Sequence, residues 1–282
     1  MTGGSRQPVI AALAASSHPV PTIAVTVIGA VLATAVGLDP ARILLVAATI
    51  LTNQLSIGLS NDWLDAQRDR ENGRRDKPLA RGDVSLAVVR ISAISAGSVS
   101  IALGFIVGTG SGIANLIFVL SGWLYNAGLK SSVAATAMYA IGFGALPAIA
   151  TFALPTPSAP AAWAIALGAL LGVAAHFANV IPDLEDDRRN GIRALPHMLG
   201  ARGAGVVTFA VLATASVVAL IAPRGSPSLW QWLGAGAGLA IAAAGIGLVL
   251  TRPPSRTLFR LIIAAALIDV AVLAAAGDRI LA

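Results

Sequence analysis

Two polar segments of this sequence combine carboxylates, asparagine and arginine at spacings that suit metal-assisted chemistry on an anion. The first, NDWLDAQRDRENGRRDKP, covers residues 61–78 and follows a long uncharged run. In a helix Asn61, Asp65 and Asp69 recur every four residues, so they share one face. Asp62 joins that face through its spacing to Asp65 and Asp69. Carboxylates stacked in this way repel one another unless something neutralises them.

The second segment repeats the first. NVIPDLEDDRRNGIRALPHMLG, residues 179–200, is identical to residues 61–82 at nine of 22 aligned positions. Chance at average composition gives roughly one or two matches. The residues that correspond to the first acidic face are Asn179, Asp183 and Asp187. A single acid at a membrane edge is usually a helix cap or a surface ion pair, but two copies with the same spacing favour a functional site.

Carboxylate and amide oxygens without imidazole or thiolate are the ligands that Mg²⁺ prefers, and Mg²⁺ bridges carboxylates to phosphate oxygens. We therefore expect the two acidic faces to hold a diphosphate through Mg²⁺. The predicted metal ligands are Asn61, Asp62, Asp65, Asp69, Asn179, Asp183 and Asp187. Among these, the predicted catalytic residues are Asp65, Asp69, Asp183 and Asp187. Arginines that follow each motif would neutralise the remaining negative charge; they are Arg70, Arg75, Arg188 and Arg193.

The rest of the chain predicts a membrane bundle that positions these segments. Of 282 residues, 56% are hydrophobic and only 11% are charged, whereas soluble domains carry about a quarter charged residues. Uncharged runs near 20 residues long indicate transmembrane helices, and no barrel-like alternation is present. We expect an all-α polytopic protein with nine spans near residues 19–37, 42–62, 85–108, 112–129, 133–153, 160–183, 203–222, 229–250 and 257–276.

The distribution of positive charge orients these spans. Sixteen of the 19 Lys and Arg residues fall on one side of the nine-span arrangement, and only Arg42, Arg224 and Arg279 fall on the other. The positive-inside rule then places the N-terminus and both acidic segments in the cytoplasm and the C-terminus outside, in the plasma (inner) membrane. The net charge of +6 fits a lipid bilayer as partner, and no nucleic-acid partner is expected.

The repeat also predicts the internal organisation. The two motifs end the second and sixth spans, and an even separation makes the repeat parallel. Residues 1–282 would form one transmembrane domain, with pseudo-repeat halves of about 19–132 and 133–250 and a ninth helix at 257–276. A chain with no cysteine has no disulfides or thiolate metal sites.

At these motifs the sequence resembles the UbiA superfamily of intramembrane aromatic prenyltransferases. The family pattern N-D-x-x-D-x-x-x-D stands at residues 61–69, and the second pattern stands at residues 179–187 with Asn179 in place of the usual Asp. The segment RRDKPLARGDVS resembles the family loop RPxxxG, with Lys77 and Pro78 in place of Arg-Pro. The segment GIRALPHMLG resembles its GxxTLPxxLG counterpart, with Ala194 where Thr is common.

The resemblance implies a bundle around a central cavity open to lipid, with Mg²⁺ as cofactor and an isoprenyl diphosphate as donor. The reaction it implies transfers the prenyl group to a small hydrophobic or aromatic acceptor, often of a quinone pathway. In this family a tyrosine and a basic residue at the end of the fourth span contact the diphosphate, which points to Tyr125 and Lys130. A cyclase acting on the donor alone stays open as an alternative, and a transporter is a more distant one.

Buried polar residues inside the spans are further candidates. Asn53 lies two helical turns before Asn61 on the same face, where it would bind the acceptor or join two helices. Asp269, an acid inside the ninth span, is a second acceptor-binding candidate, because buried acids in membranes are functional by default. A lone histidine such as His176 is more often a satisfied interior polar group than a base.

Overall fold

The computed structural model describes residues 8–74, 76–184, 187, 191–252 and 256–282, and these parts confirm the all-α prediction. Short 3₁₀ turns occupy Leu129–Ser131, Ile181–Asp183 and Gly277–Ile280. The α-helices are α1 Val9–Ser16, α2 Pro19–Ala35, α3 Pro40–Glu71, α4 Pro78–Arg81, α5 Leu86–Val107, α6 Thr109–Asn126, α7 Ala134–Thr151, α8 Ala162–Val180, α9 Leu195–Ile221, α10 Leu229–Thr251 and α11 Arg256–Ala274.

Seven helices of the described chain are long and apolar enough to cross a membrane. Helices α1 and α2 pass the same test as a pair but bend by 65° between them, which makes the count seven or eight. Helix α6 covers the expected fourth span, but it carries buried Ser111, Asn115 and Ser121, which lower its hydropathy. The helices indicate a multi-pass membrane protein, while the count of nine, the internal repeat and the division into halves stay predictions.

Helix α3 is the element around which the first half of the bundle packs. It contacts α2, α5 and α6, and it begins at Asp39, whose carboxylate accepts hydrogen bonds from the amides of Ala41 and Arg42. At a rise of about 1.5 Å per residue its 32 residues exceed the roughly 30 Å of the hydrocarbon core. The last turns of α3 therefore extend beyond the apolar layer, and these turns carry the first acidic motif.

Helices α7 and α8 form the closest contact around the second motif. A Cβ atom at Gly168 would lie 2.5 Å from the Phe143 carbonyl oxygen, and one at Gly172 would lie 2.4 Å from the Tyr139 carbonyl oxygen. Glycine at both positions lets the two backbones approach, as small residues do between membrane helices. This approach brings Tyr139 of α7 beside the end of α8.

The corner between α1 and α2 packs against α3 just before the first motif. A Cβ at Gly58 would lie 2.3 Å from the carbonyl oxygen of Ser17, so only glycine admits this contact. His18, at the corner, is the one non-glycine residue in the described part of the chain with a positive φ, at 53°. A left-handed conformation is unfavourable for such a residue and recurs at functional sites.

Candidate functional site

The first acidic motif lies on one buried face of α3, as its spacing predicts. Asp62, Asp65 and Asp69 are 2%, 6% and 4% exposed, so all three carboxylates are withdrawn from bulk water. Asn61 donates a hydrogen bond to the Asn126 side-chain oxygen on α6 at 3.1 Å. Asn126 in turn donates to the Ile57 carbonyl and the Ser60 hydroxyl. The motif is therefore fixed to the neighbouring helix as well as to its own.

Cationic side chains neutralise these buried carboxylates. Lys77 Nζ lies 3.0 Å from Asp62 Oδ1 and 2.8 Å from Asp69 Oδ2. Asp65 is paired with Lys130 and, at 2.9 Å, with Arg68. His18 adds a contact of 3.3 Å to Asp62 Oδ1. The cations that neutralise the motif are Arg68, Lys77 and Lys130.

The two lysines respond differently to burial. Burial alone lowers the pKa of the Lys77 ammonium, but the carboxylates of Asp62 and Asp69 outweigh it and raise that pKa above its ordinary value. Burial lowers the pKa of Lys130, because it has the single carboxylate of Asp65 to oppose it and other cations nearby. Lys77 is thus the more firmly charged of the two.

A short helix after the first motif delivers Lys77. Pro78 occupies the first position of α4, and Gly82 ends it with a φ of 81°, a conformation that favours glycine. Lys77 precedes the proline as the N-cap, so the fixed proline ring directs the chain back towards Asp62 and Asp69. The segment that resembles the family's RPxxxG loop therefore positions the Lys77 ammonium beside Asp62 and Asp69.

The second motif has a different backbone. Helix α8 ends at Val180, and Pro182 lies in the 3₁₀ turn Ile181–Asp183. Asn179 and Asp183 are exposed. Asn179 donates a hydrogen bond of 3.5 Å to the Tyr139 hydroxyl, and His197 Nε2 lies 3.2 Å from Asp187 Oδ2.

Two residues lie within electrostatic reach of both motifs. The hydrogen bond from Asp76 raises the pKa of the Arg74 guanidinium above its ordinary value, and the carboxylates of Asp183 and Asp69 add to this shift. Tyr125 lies within range of Asp65 on one side and Asp187 on the other. The fold therefore brings the two distant segments to one place, with a cation and a phenol between them.

The predicted diphosphate-binding residues that the structure describes lie in three places. Tyr125 and Lys130 lie at the junction of the motifs. Arg70 lines a groove of about 590 Å³ with Trp63, Leu64, Ala66, Gln67, Glu71 and Leu86, on another face of α3. Arg193 is exposed, and its amide donates to the Ser131 carbonyl at 3.4 Å, beside Lys130. Arg75 and Arg188 lie outside the described residues.

The two acceptor candidates have separate surroundings. Asn53 is fully buried and donates a 2.9 Å hydrogen bond to Asn115 of α6, which is the helix-joining role expected as its alternative. Asp269 is fully buried in α11, where it accepts a hydrogen bond from Ser216 of α9. Its second oxygen has no hydrogen-bond partner among the described residues. Neither residue contacts the acidic motifs, so their role in acceptor binding stays a prediction.

Several residues of the site carry no spacing signal of their own. Lys77 belongs to the loop that resembles the family pattern. His18 contacts Asp62 from a distant segment, and His197 contacts Asp187 from later in the same repeated segment. Arg74 lies between the two predicted arginines of the first segment and reaches both motifs. The density of basic residues after Asp69 was the available signal, but it could not say which of them turns inward.

The side chains of the first motif fit the expected Mg²⁺ ions in chemical type. The first motif offers three buried carboxylates and an asparagine, all hard oxygen ligands, and these suit Mg²⁺. Within the described ranges, however, no three acidic or histidine side chains already converge as a metal-binding group. Lys77 and Lys130 occupy the oxygens that a cation would bind, which explains this finding.

Comparison with known proteins agrees with this geometry. Curated relatives include the bacteriochlorophyll synthase 33 kDa chain of Cereibacter sphaeroides, 27% identical over 196 residues that cover 65% of either chain. Digeranylgeranylglyceryl phosphate synthase of Pyrococcus horikoshii is 28% identical over 186 residues, covering 61% of this chain and 62% of the relative. The matched region thus spans less than two thirds of these relatives' length.

Solved structures share the fold over nearly the whole chain. A UbiA homolog from Archaeoglobus fulgidus, bound to GPP and Mg²⁺, superposes with a TM-score of 0.72 at 13% identity, covering 94% of this chain and 99% of that one. A UbiA homolog from Aeropyrum pernix gives 0.70 at 18% identity, with 95% and 98% covered. The model of the UbiA prenyltransferase family matches residues 22–274, and the chain therefore belongs to that family.

Proposed function

We propose that this protein transfers an isoprenyl group from a prenyl diphosphate to an aromatic acceptor of the quinone-pathway kind, within the membrane. The observation that carries the proposal is the convergence of two acidic motifs, with Arg74 and Tyr125 within reach of both. Such a cluster of acids and cations at the end of an apolar bundle suits an anionic head group with an apolar tail. The active-site face would be cytoplasmic, and the membrane the plasma membrane.

The seven predicted ligands would hold Mg²⁺, with Asp65, Asp69, Asp183 and Asp187 at the centre. When bound, Mg²⁺ supplies positive charge that stabilises the leaving diphosphate. Support comes from the buried oxygen-only donor set of α3, and from the Archaeoglobus fulgidus homolog, which binds GPP and Mg²⁺. The names of both curated relatives describe synthases of isoprenoid-linked products.

The cations of this chain would serve the same leaving group. Lys77, Lys130 and Arg74 now pair with carboxylates. An anionic diphosphate among them would accept hydrogen bonds from the same ammonium and guanidinium groups, as phosphates generally do. They would stabilise the negative charge that develops on the bridging oxygen when its bond to the prenyl carbon breaks.

The apolar bundle would protect the electron-deficient prenyl carbon. Water attacks such a carbon readily, so a productive transfer requires a dry site. Tyr125, Tyr139 and Phe143 form an aromatic series beside the motifs, with ring centroids 5.1 Å and 6.2 Å apart in succession. These rings would guide the prenyl tail and exclude water from the reacting carbon.

The proposal is tested with Asp65→Asn and Asp183→Asn, one substitution in each motif. We expect each to lower the release of diphosphate from geranyl diphosphate by about 10²–10³-fold, because each removes a charge needed in the transition state. Thr156, exposed in the loop between α7 and α8, provides a control as Thr156→Ser. Retention of wild-type turnover in both aspartate variants would refute the proposal.

Product analysis identifies the reaction class. Mass spectrometry of lipids from a host that overproduces the protein should detect a prenylated acceptor that the Asp65→Asn host lacks. A cyclised hydrocarbon formed from the donor without any acceptor would instead establish the cyclase alternative.

A further inference from the structure

His176 is a buried histidine with unused hydrogen-bonding capacity. It lies on α8, its side chain is fully buried, and neither Nδ1 nor Nε2 has a hydrogen-bond partner among the described residues. The sequence predicts a satisfied interior polar group at this position, and the structure shows otherwise. An unpaired polar group in an apolar interior is unfavourable, so a partner from outside the chain would be stabilising.

Aromatic rings surround this imidazole. The Tyr139 ring lies 4.9 Å from it at an angle of 34°, while Tyr125 and Phe177 both lie 5.9 Å away and nearly perpendicular. These distances are typical of aromatic pairs in protein interiors. The rings surround the imidazole with aromatic surface, against which a flat ring would pack.

The imidazole lies directly behind the reaction site. It precedes Asn179 by three residues, about 4.5 Å along the helix axis towards the membrane interior. Tyr139 separates the two, since its ring covers His176 and its hydroxyl accepts the Asn179 amide at 3.5 Å. The Tyr139 hydroxyl also forms a hydrogen bond with Tyr125, so Tyr139 links α6 to the end of α8 in front of His176.

We propose that His176 binds the hydroxyl group of the acceptor. A neutral imidazole has one N–H donor and one acceptor nitrogen, and a hydroxyl group can pair with either, while a hydrocarbon can pair with neither. The inference rests on the proposed prenyl transfer and names its acceptor class, a flat aromatic molecule with at least one hydroxyl group. The diphosphate has its own cationic partners in Lys77, Lys130 and Arg74.

Binding of matched probes tests the proposal. The affinities of 1-naphthol and naphthalene, which differ by one hydroxyl group, are measured by calorimetry in nanodiscs that contain geranyl thiolodiphosphate and Mg²⁺. We expect the wild-type protein to bind 1-naphthol at least tenfold more tightly than naphthalene. In His176→Phe this preference should fall below twofold, because phenylalanine keeps the ring and removes both nitrogens.

The same variant separates binding from folding. Replacement of an unpaired buried polar group by an apolar group of similar shape is neutral or stabilising, so the unfolding temperature of His176→Phe should equal or exceed that of the wild type. Thr151→Val is the matched control, since Thr151 is also fully buried with an unpaired side-chain oxygen but lies at the other end of α7. It should keep the preference for 1-naphthol.

Equal affinity of the wild-type protein for the two probes would overturn the assignment, as would a preference that survives in His176→Phe. Comparison of the probe affinities in each protein removes their unequal partition into lipid. Neither measurement requires donor cleavage. Loss of turnover in Asp65→Asn combined with a failed naphthol preference would therefore reject the acceptor assignment alone and leave the transfer reaction standing.

Discussion

The two acidic motifs share identical residues at aligned positions but have different backbone structures. In the first, three carboxylates lie buried on an uninterrupted helix and are neutralised by Lys77 and Lys130. In the second, the helix ends at Val180, and Asn179 and Asp183 face solvent. The first motif is therefore part of the packed bundle, whereas the second lies on a turn at its edge.

This difference shows that two copies of a repeated sequence can be held in the structure with different rigidity. Buried ion pairs hold the first motif in place, and removal of one partner leaves an uncompensated buried charge. An exposed turn can move with little energetic penalty, because few buried contacts restrain it. We expect the second motif to adjust to the donor and the first to receive it.

The largest effect should separate the motifs by stability. Asp62→Asn leaves the buried Lys77 ammonium with Asp69 as its remaining paired carboxylate, and we expect it to lower the free energy of unfolding by about 3 kcal/mol. Asp183→Asn changes an exposed side chain and should alter it by less than about 0.5 kcal/mol. Unfolding in detergent measures both. Equal losses would show that the motifs are equally built into the bundle.

The next effect concerns the cations of the first motif. Lys77 pairs with two carboxylates, and Lys130 shares Asp65 with Arg68. Lys77→Met should lower donor turnover by about 10²-fold, as removal of a group that stabilises developing charge does. Lys130→Met should lower it by only about tenfold, because burial lowers the pKa of Lys130 and makes it the less firmly charged lysine. Steady-state kinetics with geranyl diphosphate provide the measurement. The reverse order would assign the main cation to Lys130.

A smaller effect should come from the support behind the first motif. A Cβ at Gly58 meets the Ser17 backbone at 2.3 Å, whereas one at Gly247 meets nothing within 4 Å. Gly58→Ala should lower the free energy of unfolding by about 1–3 kcal/mol through overpacking. Gly247→Ala, in the interior of α10, should raise it by up to about 1 kcal/mol through helix propensity. Thermal unfolding of the pair gives a signed comparison, and stabilisation by Gly58→Ala would contradict the close contact.

The smallest effects distinguish neighbouring arginines. Arg74 lies near acids of both motifs, and Arg70 lines the outer groove of α3. We expect Arg74→Ala to raise the KM for the donor by about fivefold, as loss of one screened charge contact does. Arg70→Ala should change it less than twofold. A larger change in Arg70→Ala would restore the role that the sequence predicts for it.

The acidic face of α3 was predictable because a regular helix converts spacing directly into position. The family was also readable from the paired motifs. Lys77 could not be placed in the same way, since its position depends on a proline-directed turn rather than on a period. Helix α8 ends at Val180 because Pro182 follows in the 3₁₀ turn. The aligned position of the first motif is not a proline, so the matching residues alone predicted a continuous helix through the second motif.

The hydrogen-bond partners of the buried polar residues could not be predicted from the sequence either. Asn53 has the spacing of a site residue, yet its side-chain amide donates a hydrogen bond to Asn115 of α6. His176 has no spacing signal and is orphaned by the aromatic rings that pack around it. The contact between α3 and α6 decides the first outcome, and the packing of α6, α7 and α8 decides the second. A single chain read in order contains no direct record of these contacts.

The lysine pairs of the first motif have a consequence for biogenesis. A helix that carries three acids at the membrane edge would be hard to integrate if its charges had to wait for an external ion. Lys77 and Lys130 provide internal counter-ions from the same polypeptide, so the three buried acids of α3 have their partners once the chain has been synthesised through the turn Leu129–Ser131. Assembly in the membrane and loading with cofactor thereby become separate events, and the cell can complete the first without the second.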